Sequence, residues 1–217
     1  MAAVSTVEEL RRGPVAGAIR RARLVCVLRR VEPVERLLAL VDDLADAGAR
    51  IFEITWDAPS AAEDVRALRT HLADRPDEGL LVGGGTILTE DELVAARRSG
   101  VDFGVSPVLD VALVTVAVAS GLPFIPGAMT PTEVSAAWRA GATFVKVFPA
   151  SAVGPALVRE LRGPFADVEL IPTGGIDASN ARAFLNAGAV AVGVGGAIVR
   201  ADGAARADLV RTVGGSA

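Results

Sequence analysis

The chain has 217 residues, 22 Lys+Arg against 26 Asp+Glu, and a formal net charge of −4. That length fits one generous domain or two small ones, and the mild negative charge gives no electrostatic footprint for nucleic acid. A lone Cys26 excludes an internal disulfide and a Cys-cluster metal site, which fits a reducing cytoplasm, and neither a transmembrane-length apolar run nor a signal-peptide core over residues 1–23 calls for a membrane.

Taken in chain order, the pattern predicts an N-terminal helix over about 6–22 and then a first strand, LVCVLRR, from Leu24. Val25, Val27 and Arg29 share one side of it, while Cys26 faces the other way, toward helices, as an inert core residue. After Ala47-Gly48 comes the strand IFEIT. His71 falls in the helical stretch that follows and is expected on the solvated surface. The run LLVGGGT ends at Thr86, and Thr89-x-x-Glu92 opens the next helix with a capping box. Ser99-Gly100 precedes VDFGVS, and Ser120-Gly121 precedes LPFIPG. Thr130-Pro131-Thr132-Glu133 is a second capping box, with Pro at the first helical position. Ala140-Gly141 precedes TFVKVF, VELIPTGG follows, and Ala187-Gly188 precedes VAVGVG. A final helix is expected over about 201–213.

Each small-residue–Gly pair closes an amphipathic helix, because Gly supplies the left-handed closing residue. The near-continuous apolar runs that follow fit parallel strands buried on both faces. Eight such strands separated by helices predict a single-domain (β/α)8 TIM barrel spanning 1–217. An open doubly wound sheet is the alternative, but it wants a G-x-G-x-x-G after the first strand, and none is present.

Of the 22 cations, 21 are Arg and one is a lysine, Lys146. Barrel strands alternate inward and outward. With Lys146 inward, Phe144 and Phe148 also face in, and Val145 and Val147 face the helices. Lys146 stands five residues after Gly141, and Glu53 stands five after Gly48. Both therefore occupy one depth on the sixth and second strands, which lie across the barrel from each other, so the two side chains can converge near the axis. On the second strand Ile51, Glu53 and Thr55 face in, while Phe52, Ile54 and Trp56 face out.

Desolvation among apolar groups favours the neutral form of an amine, which can attack a carbonyl and form a Schiff base. An Arg cannot, so a single Lys in an Arg-rich chain points to covalent chemistry at Lys146. A Lys that only pairs with a buried carboxylate is the competing reading. Glu53 is then the proton-transfer group, a fixing ion-pair partner, or both. Arg29, at the carboxyl end of its strand, fits a bidentate carboxylate clamp or a solvated rim residue; its neighbour Arg30 is read as the latter.

Three Gly-rich strand ends remain: Gly83-Gly84-Gly85-Thr86, Thr173-Gly174-Gly175, and Gly193-Val194-Gly195-Gly196. Loops after the seventh and eighth strands of such barrels often bind phosphate through backbone N–H groups. The Gly pairs there fit a phosphate site, or else tight turns without a ligand. Thr86 could orient a substrate hydroxyl or carboxylate.

These residues carry a resemblance to the 2-keto-3-deoxy-6-phosphogluconate (KDPG) / 4-hydroxy-2-oxoglutarate aldolases. The matching segments are V-C-V-L-R (25–29), E-I-T (53–55), G-G-G-T (83–86), S-P (106–107), P-G (126–127), K-V-F-P (146–149), G-P-F (163–165) and P-T-G-G (172–175). The resemblance implies a metal- and cofactor-free class I aldolase of the Entner–Doudoroff type, acting on a phosphorylated 2-keto acid in the cytoplasm as a homotrimer. It implies Lys146 as Schiff-base former and Glu53 as general acid/base. It also implies Arg29, Thr86 and Pro107 around the pyruvate moiety, Phe148 beside the lysine, and Gly174, Gly175, Gly195 and Gly196 at the phosphate. Thr173 matches the KDPG enzymes, whereas enzymes for the galactonate epimer tend to have an apolar residue there. Two departures stand out. Trp56-Asp57 replaces a segment where many members carry an Arg, and Gly196 replaces a Ser. One cationic contact is thus missing or supplied elsewhere, and one hydroxyl ligand is lost.

Overall fold

The structure, a computed structural model, describes residues 6–73, 75 and 79–214. Its N-terminal segment forms two helices, α1 (Val7–Arg12) and α2 (Pro14–Ala22), where the sequence predicts one over about 6–22. The break has a simple cause: Gly13 is extended and Pro14 opens α2 at a position where its missing N–H costs nothing.

Strands and helices then alternate. β1 (Leu24–Leu28), α3 (Val34–Asp46), β2 (Ile51–Thr55), α4 (Ala61–Leu72), β3 (Leu81–Gly85), α5 (Glu90–Ser99), β4 (Phe103–Val105) and α6 (Val111–Ala119) build the first half. The second half holds β5 (Phe124–Ile125), β6 (Gly127–Ala128), α7 (Pro131–Arg139), β7 (Val145–Val147), α8 (Gly154–Leu161), β8 (Leu170–Pro172), α9 (Ala181–Asn186), β9 (Val192–Val194), α10 (Gly196–Arg200) and α11 (Gly203–Val213). Both capping boxes form: Glu92 N donates to Thr89 Oγ1 at 3.2 Å and Glu133 N donates to Thr130 Oγ1 at 3.3 Å. The five glycines that close helices, Gly48, Gly100, Gly121, Gly141 and Gly188, all have positive φ.

Every strand pairing is parallel. The ladder runs β5-β4-β3-β2-β1-β9 in one sheet and β6-β7-β8 in another. The two sheets are one eight-stave barrel. β5 and β6 are the halves of a single stave, split at Pro126, which has no N–H to give the ladder. At the other seam Thr173 pairs with Gly193, and Val190 N donates to Leu170 O at 3.1 Å.

The alternation along the staves sorts the core into two parts. Val25, Ile51, Phe103, Val105, Ile125, Phe144 and Ile171 fill the barrel interior, and Ala16 and Ile19 of α2 plug its amino-terminal end. Cys26, Phe52, Ile54, Val145 and Val147 face the other way into the layer under the helices. With α2 packed into its lower end, the barrel interior opens at its carboxyl-terminal mouth.

Candidate active site

Lys146 stands at the centre of β7, paired with Gly127 on one side and Ile171 on the other. Glu53 is the central residue of β2, paired with Val27 and Gly83. Being inward residues on opposing staves, they meet near the axis, with Lys146 Nζ 3.9 Å from Glu53 Oε1. Both are almost sealed from solvent, with side chains only 6% and 3% exposed. Glu53 Oε1 has no hydrogen-bond partner among the described residues. A buried carboxylate oxygen without a partner is costly unless function uses it, and 3.9 Å is too long for a direct hydrogen bond. The pair is therefore poised to share a third group between them. Phe148 lies over the lysine, with Nζ 5.2 Å from its ring centroid.

Above this pair opens a cleft of about 450 Å³. Lys146, Arg29 and Phe148 line it. Thr173, Gly174 and Gly175 of the turn after β8, and Gly195 and Gly196 after β9, complete the lining, with Gly174 against the Phe148 ring. Gly174 and Gly175 take φ of +94° and +74°, which L side chains rarely adopt. Of the residues that the sequence singles out, Thr86 and Pro107 do not line this cleft. Thr86 reaches the site through Arg29, whose Nη2 donates to its hydroxyl at 3.3 Å. Pro107 packs beside Gly127, the ladder neighbour of Lys146, where an added Cβ would come within 2.2 Å of the Pro107 carbonyl oxygen. Thr86 itself is held at φ +57°, strained for a β-branched residue.

The glycines of β3 play a part that the sequence does not reveal. They are strand residues, not a turn, and they give space to their neighbours. A Cβ on Gly83 would meet the Phe103 ring at 2.3 Å, and one on Gly85 would meet Glu53 Oε1 at 2.0 Å. Gly85 is thus the surface against which the Glu53 carboxylate lies.

Asp57, standing where the resemblance leads one to expect a cation, turns onto the two arginines after β1. Its carboxylate is 3.1 Å from Arg29 Nη1 and 3.3 Å from Arg30 Nε, and Arg30 also donates to the Asp57 carbonyl. Arg30, expected as a solvated rim residue, is exposed but paired. Partial burial pushes the Asp57 carboxyl up, but the Thr55 hydroxyl, Arg29 and Arg30 outweigh it and hold the group below the ordinary Asp value. His71 lies far from this mouth, its Nε2 2.9 Å from the Asp42 carboxylate on α3. Burial pushes the Cys26 thiol up, consistent with an unreactive core residue. Two charged cleft-lining side chains escape the sequence reading: Asp177, after β8, and Arg200, at the end of α10. Neither belongs to a motif; for Arg200 the available signal is its position one helical turn beyond Gly196.

Comparison with known proteins places this geometry in context. The family described as "Aldolase: KDPG and KHG aldolase" matches residues 15–213. The 2-dehydro-3-deoxy-phosphogluconate aldolase of Haemophilus influenzae is 36% identical over 168 residues, covering 77% of this chain and 76% of that protein. The 2-dehydro-3-deoxy-6-phosphogalactonate aldolase of Escherichia coli is 31% identical over 179 residues, covering 82% and 85%. The crystal structure of the 2-keto-3-deoxy-6-phospho-gluconate aldolase from Zymomonas mobilis superposes with a TM-score of 0.78 at 28% identity, covering 92% of this chain and 95% of that one.

Proposed function

Because the chain belongs to the KDPG and KHG aldolase family, we propose that it is a carbon–carbon lyase that cleaves 2-keto-3-deoxy-6-phosphogluconate to pyruvate and glyceraldehyde 3-phosphate, with Lys146 as the nucleophile. One observation above the others supports this reading: the chain's single lysine, buried in the barrel, stands 3.9 Å from a buried carboxylate oxygen that has no hydrogen-bond partner among the described residues.

In the proposed sequence Lys146 Nζ attacks the C2 carbonyl and forms a carbinolamine. Glu53 supplies and removes protons through a bridging water while the carbinolamine loses water to give the Schiff base. The protonated imine draws the electron pair of the C3–C4 bond as Glu53 takes the proton of the C4 hydroxyl. Glyceraldehyde 3-phosphate leaves, the enamine is protonated at C3, and hydrolysis releases pyruvate and the free amine. Arg29 would hold the pyruvate moiety, with Thr86 acting through Arg29 and Pro107 through Gly127, and with Phe148 and Thr173 packing at the reacting carbons. Gly174, Gly175, Gly195 and Gly196 would hold the phosphate through their main chain.

We further assign the chain, as one domain over 1–217, to the cytoplasm and to the Entner–Doudoroff cleavage step. A homotrimer is the proposed assembly. It is supported by exposed apolar residues at the carboxyl-terminal end of the barrel: Leu88, Val108 and Met129 on the loops after β3, β4 and β6, and Val111 at the start of α6.

The substrate reading is tested by steady-state cleavage of KDPG, its galactonate epimer and 4-hydroxy-2-oxoglutarate. KDPG is expected to have the highest kcat/KM. A higher value for either competitor would replace it as the substrate within the same chemistry.

A further inference from the structure

Three cationic side chains line the cleft, and two of them are already matched with carboxylates. Lys146 faces Glu53 and Arg29 is paired with Asp57. The third, Arg200, has no ion-pair or hydrogen-bond partner among the described residues. The one carboxylate among the cleft-lining residues, Asp177, makes no ion pair with it; Asp177 Oδ1 accepts from Ser179 N at 2.8 Å and from the Ser179 hydroxyl at 2.5 Å.

Gly196 explains how Arg200 comes to be there. Unlike Gly174 and Gly175, Gly196 does not have a positive φ, so its backbone does not require glycine. It is also the first residue of α10. What the glycine leaves is open space, and the guanidinium takes it up. A Cβ on Gly196 would lie 2.6 Å from Arg200 Nη1, 3.0 Å from Nη2 and 3.1 Å from Cζ. The guanidinium, carried back one helical turn, occupies the volume that a side chain at 196 would fill.

We propose that Arg200 is the side-chain ligand of the substrate's phosphate monoester. Its planar fork, lying over Gly196 beside the Gly174-Gly175 turn, can take two phosphate oxygens at once. The proposal rests on the phosphorylated-substrate reading above and adds a residue to it. It makes Gly196 and Arg200 a coupled pair, in which losing a side chain at one position admits the cation at the other. Arg200 touches the end of the substrate remote from the lysine, so it contributes binding and selectivity for the phosphorylated aldehyde half, not proton or electron transfer.

The test compares wild type, Arg200→Ala, Arg200→Lys and the double variant Gly196→Ser/Arg200→Ala in two assays. One is KDPG cleavage; the other is the rate of borohydride-trapped adduct formation with pyruvate, which has no phosphate. Removing a charge-assisted contact raises the KM for KDPG in Arg200→Ala by about 10- to 100-fold, with the pyruvate trapping rate unchanged. Arg200→Lys falls between, because a point charge cannot form the fork. The serine of the double variant recovers part of the loss by supplying a hydroxyl in the vacated volume. Arg200→Ala with the wild-type KM overturns the proposal and leaves the substrate reading standing. So does an equal fall in KDPG cleavage and pyruvate trapping, which would mark a general disturbance. Wild-type protein that traps pyruvate but leaves KDPG intact overturns the substrate reading, and this proposal with it.

Discussion

At the scale of single residues, burial and pairing divide the charged groups of the mouth into distinct roles. Lys146 and Glu53 are sealed together inside the barrel; in the proposed reaction Arg could not replace the lysine, because its guanidinium cannot become a free nucleophile. Asp57 at the rim does something else: it binds Arg29 and Arg30 to the end of β2. Its carboxyl is held below the ordinary Asp value in the folded chain. Its stabilising contribution is therefore fully present above the unfolded-state value and is lost as pH falls through the folded one. With both arginines more than half exposed, that contribution is about 1 kcal/mol or less. Asp57→Asn is expected to lower unfolding stability by that amount at pH 7. In urea melts repeated at successively lower pH, the gap between variant and wild type should close below the usual Asp range. A gap that stays constant with pH would show that the pairing contributes nothing.

At the scale of elements, β3 shows how a strand can serve a site without supplying a reactive group. Its glycines are strand residues whose missing side chains make room for Phe103 and for the Glu53 carboxylate. In Gly85→Ala the new methyl would overlap Glu53 Oε1, and Glu53, 3% exposed, has little space to retreat into. The variant is expected to act like Glu53→Gln: kcat for KDPG falls about 100-fold or more, the usual worth of a positioned acid/base, while an adduct with pyruvate still accumulates at Lys146. Wild-type kcat in both variants would remove Glu53 from the proton-transfer role. The sequence makes the Gly-Gly-Gly-Thr run visible but not its reason, since a glycine kept for space and one kept for a positive φ are written alike. The same ambiguity hides the Gly196–Arg200 contact, which depends on a helix of only five residues.

At the scale of the whole molecule, the barrel was legible because parallel strands and amphipathic helices leave periodic signals that survive without tertiary context. The Gly markers put Lys146 and Glu53 at one depth, and the closed ladder brings them within 3.9 Å across the axis. The division of the core into barrel filling and helix-facing layer likewise follows from the two-residue alternation of β1, β2 and β7. Less legible were features set by a missing hydrogen-bonding group or by contacts remote in sequence. Pro126 splits one stave into β5 and β6, and Gly13-Pro14 divides the N-terminal helix. Asp57 was visible only as a missing cation; that it neutralises Arg29 depends on β1 and β2 ending side by side. Ala16 and Ile19 pack into the amino-terminal end, and the barrel interior opens at the opposite mouth.

The central claim concerns the amine nitrogen of Lys146, and borohydride reduction in the presence of pyruvate tests it most directly. Peptide mapping of the reduced wild-type protein should find one pyruvate-derived adduct, on the tryptic peptide containing Lys146, and Lys146→Arg should yield none and cleave no KDPG. Wild-type protein that forms no adduct with pyruvate or KDPG, or a Lys146→Arg variant that retains substantial cleavage, would contradict the Schiff-base account.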